Sequence, residues 1–113
     1  MKKTDEKYLR QRKVEVVENV RRILDKSIGI VDGSLNLSRL VNEVSEDQFD
    51  EDFMLFIEIA SDSDHLPLSH TRQKFSKETL KKADDEIREI EKHYRERLQE
   101  ACTKLVHRFS SAI

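Results

Sequence analysis

The sequence is poor in residues that break helices or cross-link loops. Its 113 residues include two glycines, one proline, one cysteine and no tryptophan. One cysteine excludes an internal disulfide, and we expect such a chain in the cytoplasm, where thiols stay reduced. Cys102 falls on an apolar helical stripe, which predicts a buried and unreactive thiol. Two glycines, at positions 29 and 33, are too few for a phosphate-binding Gly-rich loop.

Long apolar stretches are also lacking. No run approaches the roughly 20 apolar residues that cross a bilayer, so we expect no membrane-spanning helix. The basic start of the chain is followed by no apolar stretch, which argues against a secretory signal. We therefore predict a single cytoplasmic domain over residues 1–113, long enough for a modest core.

Charge is what the chain has in abundance, at 39% of its residues, although the formal net charge is only −2. The two signs are unevenly distributed. Residues 40–71, here called the acidic segment, contain nine Asp or Glu and no Lys or Arg. The flanking parts are basic on balance, with ten Lys or Arg against six Asp or Glu before the segment and eleven against eight after it. The small net charge therefore hides a strongly polarised layout.

Apolar residues recur at steps of three and four, which predicts an all-α fold. We expect a small helical bundle with two long helices, N- and C-terminal, and short helices between them. The predicted elements are a helix over about 4–27, a turn over 31–34, a short helix capped by Ser34 and ending near Val44, a helix over about 50–60, a loop over about 61–69, a helical turn over about 70–74, and a helix from a Ser76 cap to about Ser110. The run FMLFIEIA, residues 53–60, is also compatible with a buried strand.

A catalytic or metal site is the first function to weigh. Asp62, Asp64 and His65 are close in sequence, with His70 nearby, and such residues can bind a metal or transfer protons. Their spacing matches no established metal motif, and no second group of ligands accompanies them. We therefore expect no enzyme, no metal and no cofactor, with the aspartates making turn hydrogen bonds and His65 packing against the first helix.

Nucleic-acid binding is the second. Basic residues crowd the N-terminus, at Lys2, Lys3, Lys7, Arg10, Arg12 and Lys13. They could contact phosphates, which leaves open a small nucleic-acid-binding regulator. The pI of about 6.1 and the acidic segment weigh against this function, since negative charge repels a polyanion such as nucleic acid. A solvated helix face explains these basic residues more simply.

Protein binding accounts best for the acidic segment. Uncompensated carboxylates attract a basic partner and speed association, and phenylalanines among them can serve as apolar anchors. A solvated loop beside basic helices is the competing interpretation, with the phenylalanines in the core and residues 50–52 serving a helix start. The predicted partner-binding residues are Glu46, Asp47, Phe49, Asp50, Glu51, Asp52, Asp62, Asp64 and His65.

The stretch from Ile57 to Leu105 resembles a family of small bacterial helical proteins. The shared pattern is an aspartate-rich turn ending in D-H-L-P, an Arg, an aromatic–Ser helix start, an acidic–Ile pair, a Glu-x-x-Tyr and an Ala–Cys. These features stand here as Asp64, His65, Leu66, Pro67, Arg72, Phe75, Ser76, Glu86, Ile87, Glu91, Tyr94, Ala101 and Cys102. The upstream run VDGSLNLSRL resembles the family's Gly-x-Leu turn and second helix. The chain departs from the pattern in having Ser69 in place of a Gly and Phe75 in place of a Trp.

Some members of that family resemble immunity proteins of contact-dependent growth inhibition systems, which bind and silence a toxic nuclease domain. The resemblance implies a monomer that forms a 1:1 heterodimer with a cognate toxin, with no direct contact to nucleic acid or membrane. A nuclease needs a basic cleft for phosphates, and carboxylates of the acidic segment would cover it. The alternative is a cytosolic helical protein of unknown role whose D-H-L-P turn braces its own fold, with Asp64 and His65 hydrogen-bonded inward.

Overall fold

The computed structural model describes residues 5–112 as a set of helices and short connections. Four α-helices form the bundle: α1 over Glu6–Leu24, α2 over Ile30–Val44, α3 over Glu51–Asp62 and α4 over Lys77–Phe109. Short 3-10 helices cover Ser69–Lys74 and Ser110–Ala112. Residues 5–112 contain no strand, which confirms the all-α bundle and assigns FMLFIEIA to a helix.

Three of the α-helices begin at a side chain that accepts a hydrogen bond from the first turn. Asp5 accepts from the Tyr8 N–H at 3.1 Å, and Ser76 accepts from the Thr79 N–H at 3.1 Å. Asp50 caps α3 in the same way. Each cap satisfies a backbone donor that the helix itself leaves unpaired. The predicted start of the C-terminal helix at Ser76 is thereby confirmed.

The predicted start of the second helix is wrong. Residues 31–34 form no turn but the first turns of α2, and Gly29, in an extended conformation, is its N-cap. Ser34 is fully buried inside the helix and caps nothing. Extending the helix to Ile30 buries two more aliphatic side chains, Ile30 and Val31, which outweighs the turn propensity of Asp-Gly-Ser.

The first helix is shorter than predicted, since it ends at Leu24 rather than near residue 27. Lys26 follows it with a φ of 64°, in the left-handed region. This conformation lets the N–H groups of Ser27 and Ile28 reach back to the Arg22 carbonyl oxygen, at 3.0 and 3.2 Å. The chain therefore reverses within a few residues and returns α2 against α1.

Helices α1 and α2 approach closely at Gly33. A Cβ atom added to Gly33 would lie 2.5 Å from Cγ1 of the buried Ile23. The Asn19 amide beside it donates to the Gly33 carbonyl oxygen at 2.9 Å, and the Asn36 amide donates to the Asn19 Oδ1 at 2.9 Å. Because Gly33 has no side chain, α1 and α2 can approach closely enough for these hydrogen bonds to form.

The core consists of two adjoining clusters. The larger joins all four α-helices around Val16, Val20, Phe53 and Leu105, and the smaller lies between α2, α3 and the middle of α4. The apolar stripe predicted on α4 faces this core, although it is only partly covered at Ile87, Ile90 and Leu98. The two long helices pack together, as predicted, and α3 packs on α2 and α4. Among the described helices, none has the length and apolar character needed to cross a membrane.

We predict that Gly33→Ala lowers the free energy of unfolding by roughly 1 kcal/mol, and by at most about 2 kcal/mol. Overpacking against Ile23 costs about 1–3 kcal/mol, and the better helix propensity of Ala returns roughly 1 kcal/mol. Gly29→Ala is the matched control, because no atom lies within 4 Å of the added Cβ. In Gly29→Ala the weaker N-cap destabilises the fold, whereas the lower entropy of the unfolded chain stabilises it. The free energy of unfolding should therefore change by no more than about 0.5 kcal/mol.

Urea denaturation of both variants measures the difference. The close approach would be contradicted if Gly33→Ala were as stable as Gly29→Ala.

Candidate functional site

The connection between α2 and α3, residues 45–50, is held by its own side chains. The Asp50 N–H donates to the Asp47 carbonyl oxygen at 3.1 Å, and the Phe49 N–H donates to Asp47 Oδ1 at 2.8 Å. The Ser45 hydroxyl donates to Asp50 Oδ2 at 2.8 Å, and Asp50 Oδ1 accepts from the Asp52 N–H at 3.1 Å. The polar run SEDQFDED therefore folds into a defined corner because Ser and Asp side chains replace missing backbone partners.

Arg108, near the end of α4, binds two carboxylates of this corner. Its two terminal nitrogens each lie 2.9 Å from one oxygen of Asp50, and Nη1 also lies 2.9 Å from Asp52 Oδ2. The Asp50 side chain is only 9% exposed. The hydrogen bonds from Arg108 hold the pKa of Asp50 below its ordinary value, against the effect of burial, and the pKa of Arg108 is raised in turn.

Asp50 is among the residues predicted to bind a partner, and the structure gives its carboxylate internal partners. It is buried, paired and serving as a helix cap, and Asp52 shares its cation. The sequence contains no Lys or Arg within the acidic segment, so the segment itself offered no sign of this partner. Arg108 lies 58 residues further along the chain.

Carboxylates further along α3 are also held by α4. The Tyr94 hydroxyl lies 2.7 Å from Glu58 Oε2 and contacts the Asp62 carboxylate as well. Arg97 approaches Glu58 Oε1 at 3.4 Å. The Tyr94 hydrogen bond, with help from Arg97, lowers the pKa of Glu58. Burial, together with the two carboxylates, raises the pKa of Tyr94 well above its ordinary value. Asp62, predicted to meet a partner, thus contacts the protein's own α4.

His65 contacts α4 rather than the first helix, contrary to the prediction. Its Nε2 lies 2.9 Å from Glu86 Oε1, and its Nδ1 lies 3.9 Å from Asp64 Oδ1. The alternative interpretation, in which the turn braces the fold, expects both residues to hydrogen-bond inward: His65 does contact α4, although both side chains remain exposed. Within residues 5–112, no three His, Cys, Asp or Glu side chains are grouped to hold a metal. Cys102 is fully buried, and burial raises its pKa to about 12, which keeps the thiol protonated.

Four predicted carboxylates are exposed and have no Lys, Arg or Tyr partner in the described part of the chain: Glu46, Asp47, Glu51 and Asp64. Glu46, Asp47 and Glu51 surround Phe49 in the sequence. We call Glu46, Asp47, Phe49 and Glu51 the acidic corner. Phe49 is 67% exposed, whereas Phe53 and Phe56 are fully buried. Asp64 lies at the other end of α3, about 17 Å away along the helix axis. The structure thus separates the predicted site into two parts.

The chain matches the family described as "Protein of unknown function (DUF2489)" over residues 1–105. It belongs to that family. No curated protein and no solved structure matches the chain. Family membership therefore brings no assigned activity, and arguments about function rest on the residues themselves.

We predict that Asp50→Asn lowers the free energy of unfolding by about 1–2 kcal/mol at pH 7, because a partly buried charge-assisted pair is lost while the cap acceptor stays. The pKa of Asp50 is lower in the folded state than its ordinary 3.8. Its stabilising contribution is therefore present above that pH and is lost as the pH falls through the folded-state pKa. The difference in free energy of unfolding between wild type and Asp50→Asn should therefore shrink as the pH is lowered below about 4.

Urea denaturation at pH 7 and at several values below 4 measures this difference. Asp52→Asn is the control, since its more exposed side chain makes a single contact with Arg108 and should contribute less. Equal stability of wild type and Asp50→Asn at pH 7 would contradict the structural role of the pair.

Proposed function

We propose that this protein is a binding protein without catalytic activity, which neutralises a basic partner by docking the acidic corner against it. The observation that carries the proposal is Phe49, a large apolar side chain left 67% exposed among three carboxylates that no Lys or Arg of the described chain neutralises. Interfaces combine such an aromatic anchor with a polar rim. The carboxylates would attract a basic surface, and Phe49 would bury apolar area once the two surfaces meet.

The rigidity of the corner supports this role. Hydrogen bonds from Ser45, Asp47 and Asp50 fix its backbone before any partner arrives. A preformed surface loses little conformational freedom on binding, so more of the contact free energy appears as affinity. The exposed carboxylates are not needed for these contacts, apart from Asp47, and are available to a partner.

Phe49 also has a local explanation. It precedes the N-cap of α3, and Met54 occupies the position four residues into the helix, where a hydrophobic staple would form. Met54 is itself 39% exposed. A staple contact explains how the corner is oriented. It gives no reason for a large apolar ring to leave most of its surface in water.

The partner we propose is the nuclease domain of a contact-dependent growth inhibition toxin, as the resemblance of residues 57–105 implies. A nuclease cleft is basic because it binds phosphates, and carboxylates can occupy the phosphate positions. A nucleic-acid role for the N-terminal helix has less support. Arg12 is paired with Glu15 at 2.8 Å and lies over the Tyr8 ring, and Lys2 and Lys3 lie outside the described residues.

We predict that reversing the charge at Glu46 and Glu51 weakens toxin binding about 10-fold or more, mainly by slowing association, because electrostatic steering is lost. Neither side chain has a partner in the described structure, so the fold should persist. The measurement is a binding titration against the nuclease domain of the proposed cognate toxin at low and moderate salt, with nuclease activity as a second readout.

The control variant carries Glu18→Lys and Glu96→Lys, which change the net charge equally at exposed positions elsewhere on the bundle. It should retain inhibition. Equal inhibition by both variants would contradict docking through the acidic corner, and failure of the wild type to inhibit would contradict the immunity function.

A further inference from the structure

A small cavity lies behind the D-H-L-P turn, at the opposite end of α3 from the acidic corner. Its volume is about 140 Å³, and aliphatic side chains from three elements form most of its lining: Val31 and Leu35 of α2, Ala60 of α3, and Leu66 and Leu68 of the turn. An apolar cavity of about 150 Å³ holds a benzene molecule. The space is therefore sufficient for one apolar side chain from another molecule.

The polar groups at this cavity are of two kinds. The buried Ser63 hydroxyl donates to the Ile59 carbonyl oxygen at 2.6 Å, so its hydrogen is already used within α3. Asp64 also lines the cavity, but its side chain is 81% exposed, and its Oδ1 lies 3.9 Å from Nδ1 of His65. The cavity thus has an apolar interior and a single carboxylate at its mouth.

The wall that the turn supplies is fixed from several sides. The Leu66 N–H donates to the Ser63 carbonyl oxygen at 3.0 Å, and the Thr71 N–H donates to the Leu68 carbonyl oxygen at 2.9 Å. Beyond the cavity, His65 pairs with Glu86 of α4, and the Ser69 hydroxyl donates to the Asp32 carboxylate of α2. Pro67 restricts the backbone between the two leucines. The cavity is therefore formed in advance of any ligand.

We propose that this cavity binds an apolar side chain of a protein partner that carries a Lys or Arg beside it. The aliphatic lining would take the apolar group, and Asp64 would pair with the cation at the mouth. The proposal rests on the proposed function for the nature of the partner. A standard interface of about 800 Å² per partner is roughly 30 Å across, which exceeds the length of α3 that separates the cavity from the acidic corner.

Three small probes with the same ring test the chemistry directly: 2-phenylethylammonium, 2-phenylethanol and phenylacetate. Each is titrated into the full chain while the methyl resonances of Val31, Leu35, Leu66 and Leu68 are followed by NMR. We expect shifts confined to these methyl groups, with the ammonium binding about 2- to 5-fold more tightly than the alcohol, as for an exposed ion pair. Phenylacetate should bind most weakly, and added salt should reduce the preference.

Two variants separate the apolar from the charged contribution. Asp64→Asn should remove the preference for the ammonium without abolishing binding of the alcohol, whereas Glu46→Gln, at the distant acidic corner, should leave the preference unchanged. Ala60→Leu should fill the cavity and abolish binding of all three probes. Asp64 is exposed, so its variant keeps the test valid even if Ala60→Leu perturbs the fold.

The proposal is overturned if the methyl resonances do not respond, or if the wild type binds the alcohol as tightly as the ammonium. Neither result bears on the acidic corner, because the probes contain no partner surface and both results are obtained with the wild type. Conversely, loss of toxin inhibition with normal probe binding would refute the proposed function and leave the cavity's preference for cationic apolar groups standing.

Discussion

The contact between Arg108 and Asp50 sets the position of the surface on which the functional argument depends. Asp50 caps α3, accepts the Ser45 hydroxyl and binds both terminal nitrogens of Arg108. One nearly buried carboxylate thus joins the end of α2, the start of α3 and the end of α4. A charge buried to this degree is stable only if it is paired and hydrogen-bonded, so the geometry of the corner and that of α4 cannot vary independently.

The same principle explains how the acidic segment is divided between structure and surface. Five of its nine carboxylates contact another part of the fold: Glu43 accepts from the Tyr8 hydroxyl, Asp50 and Asp52 bind Arg108, and Glu58 and Asp62 accept from Tyr94. The four that remain, Glu46, Asp47, Glu51 and Asp64, lie in the connections flanking α3 or in its first turn. A charge count along the sequence treats all nine alike, because it does not register the basic and hydroxyl groups that α1 and α4 place opposite five of them.

Local sequence signals predicted most of the helices. Contacts between distant residues determined the start of α2 and the partners of the acidic side chains, which local signals do not reveal. Periodicity and a Ser cap identified α4. The helical period groups Phe49 with Phe53 and Phe56, but α3 begins after Phe49, which is exposed while the other two are buried. The start of α2 was missed because burial of Ile30 prevailed over turn-forming residues. Arg108 and Tyr94 could not be assigned to the site, since helical periodicity gives no information on which distant side chains meet.

The two interpretations of the D-H-L-P turn that the sequence left open are compatible in the structure. His65 and Ser69 fasten the turn to α4 and α2, which is the bracing role, while Asp64 between the helix and the turn faces solvent. Bracing is what makes the exposed carboxylate and the neighbouring cavity a defined surface rather than a mobile loop. The acidic corner follows the same arrangement, because Asp50 is fixed internally so that Glu46, Phe49 and Glu51 keep a constant orientation. At each end of α3, residues held by internal contacts, such as Asp50 and His65, lie next to exposed residues, such as Phe49 and Asp64. The internal contacts set the geometry of the exposed side chains that we propose bind a partner.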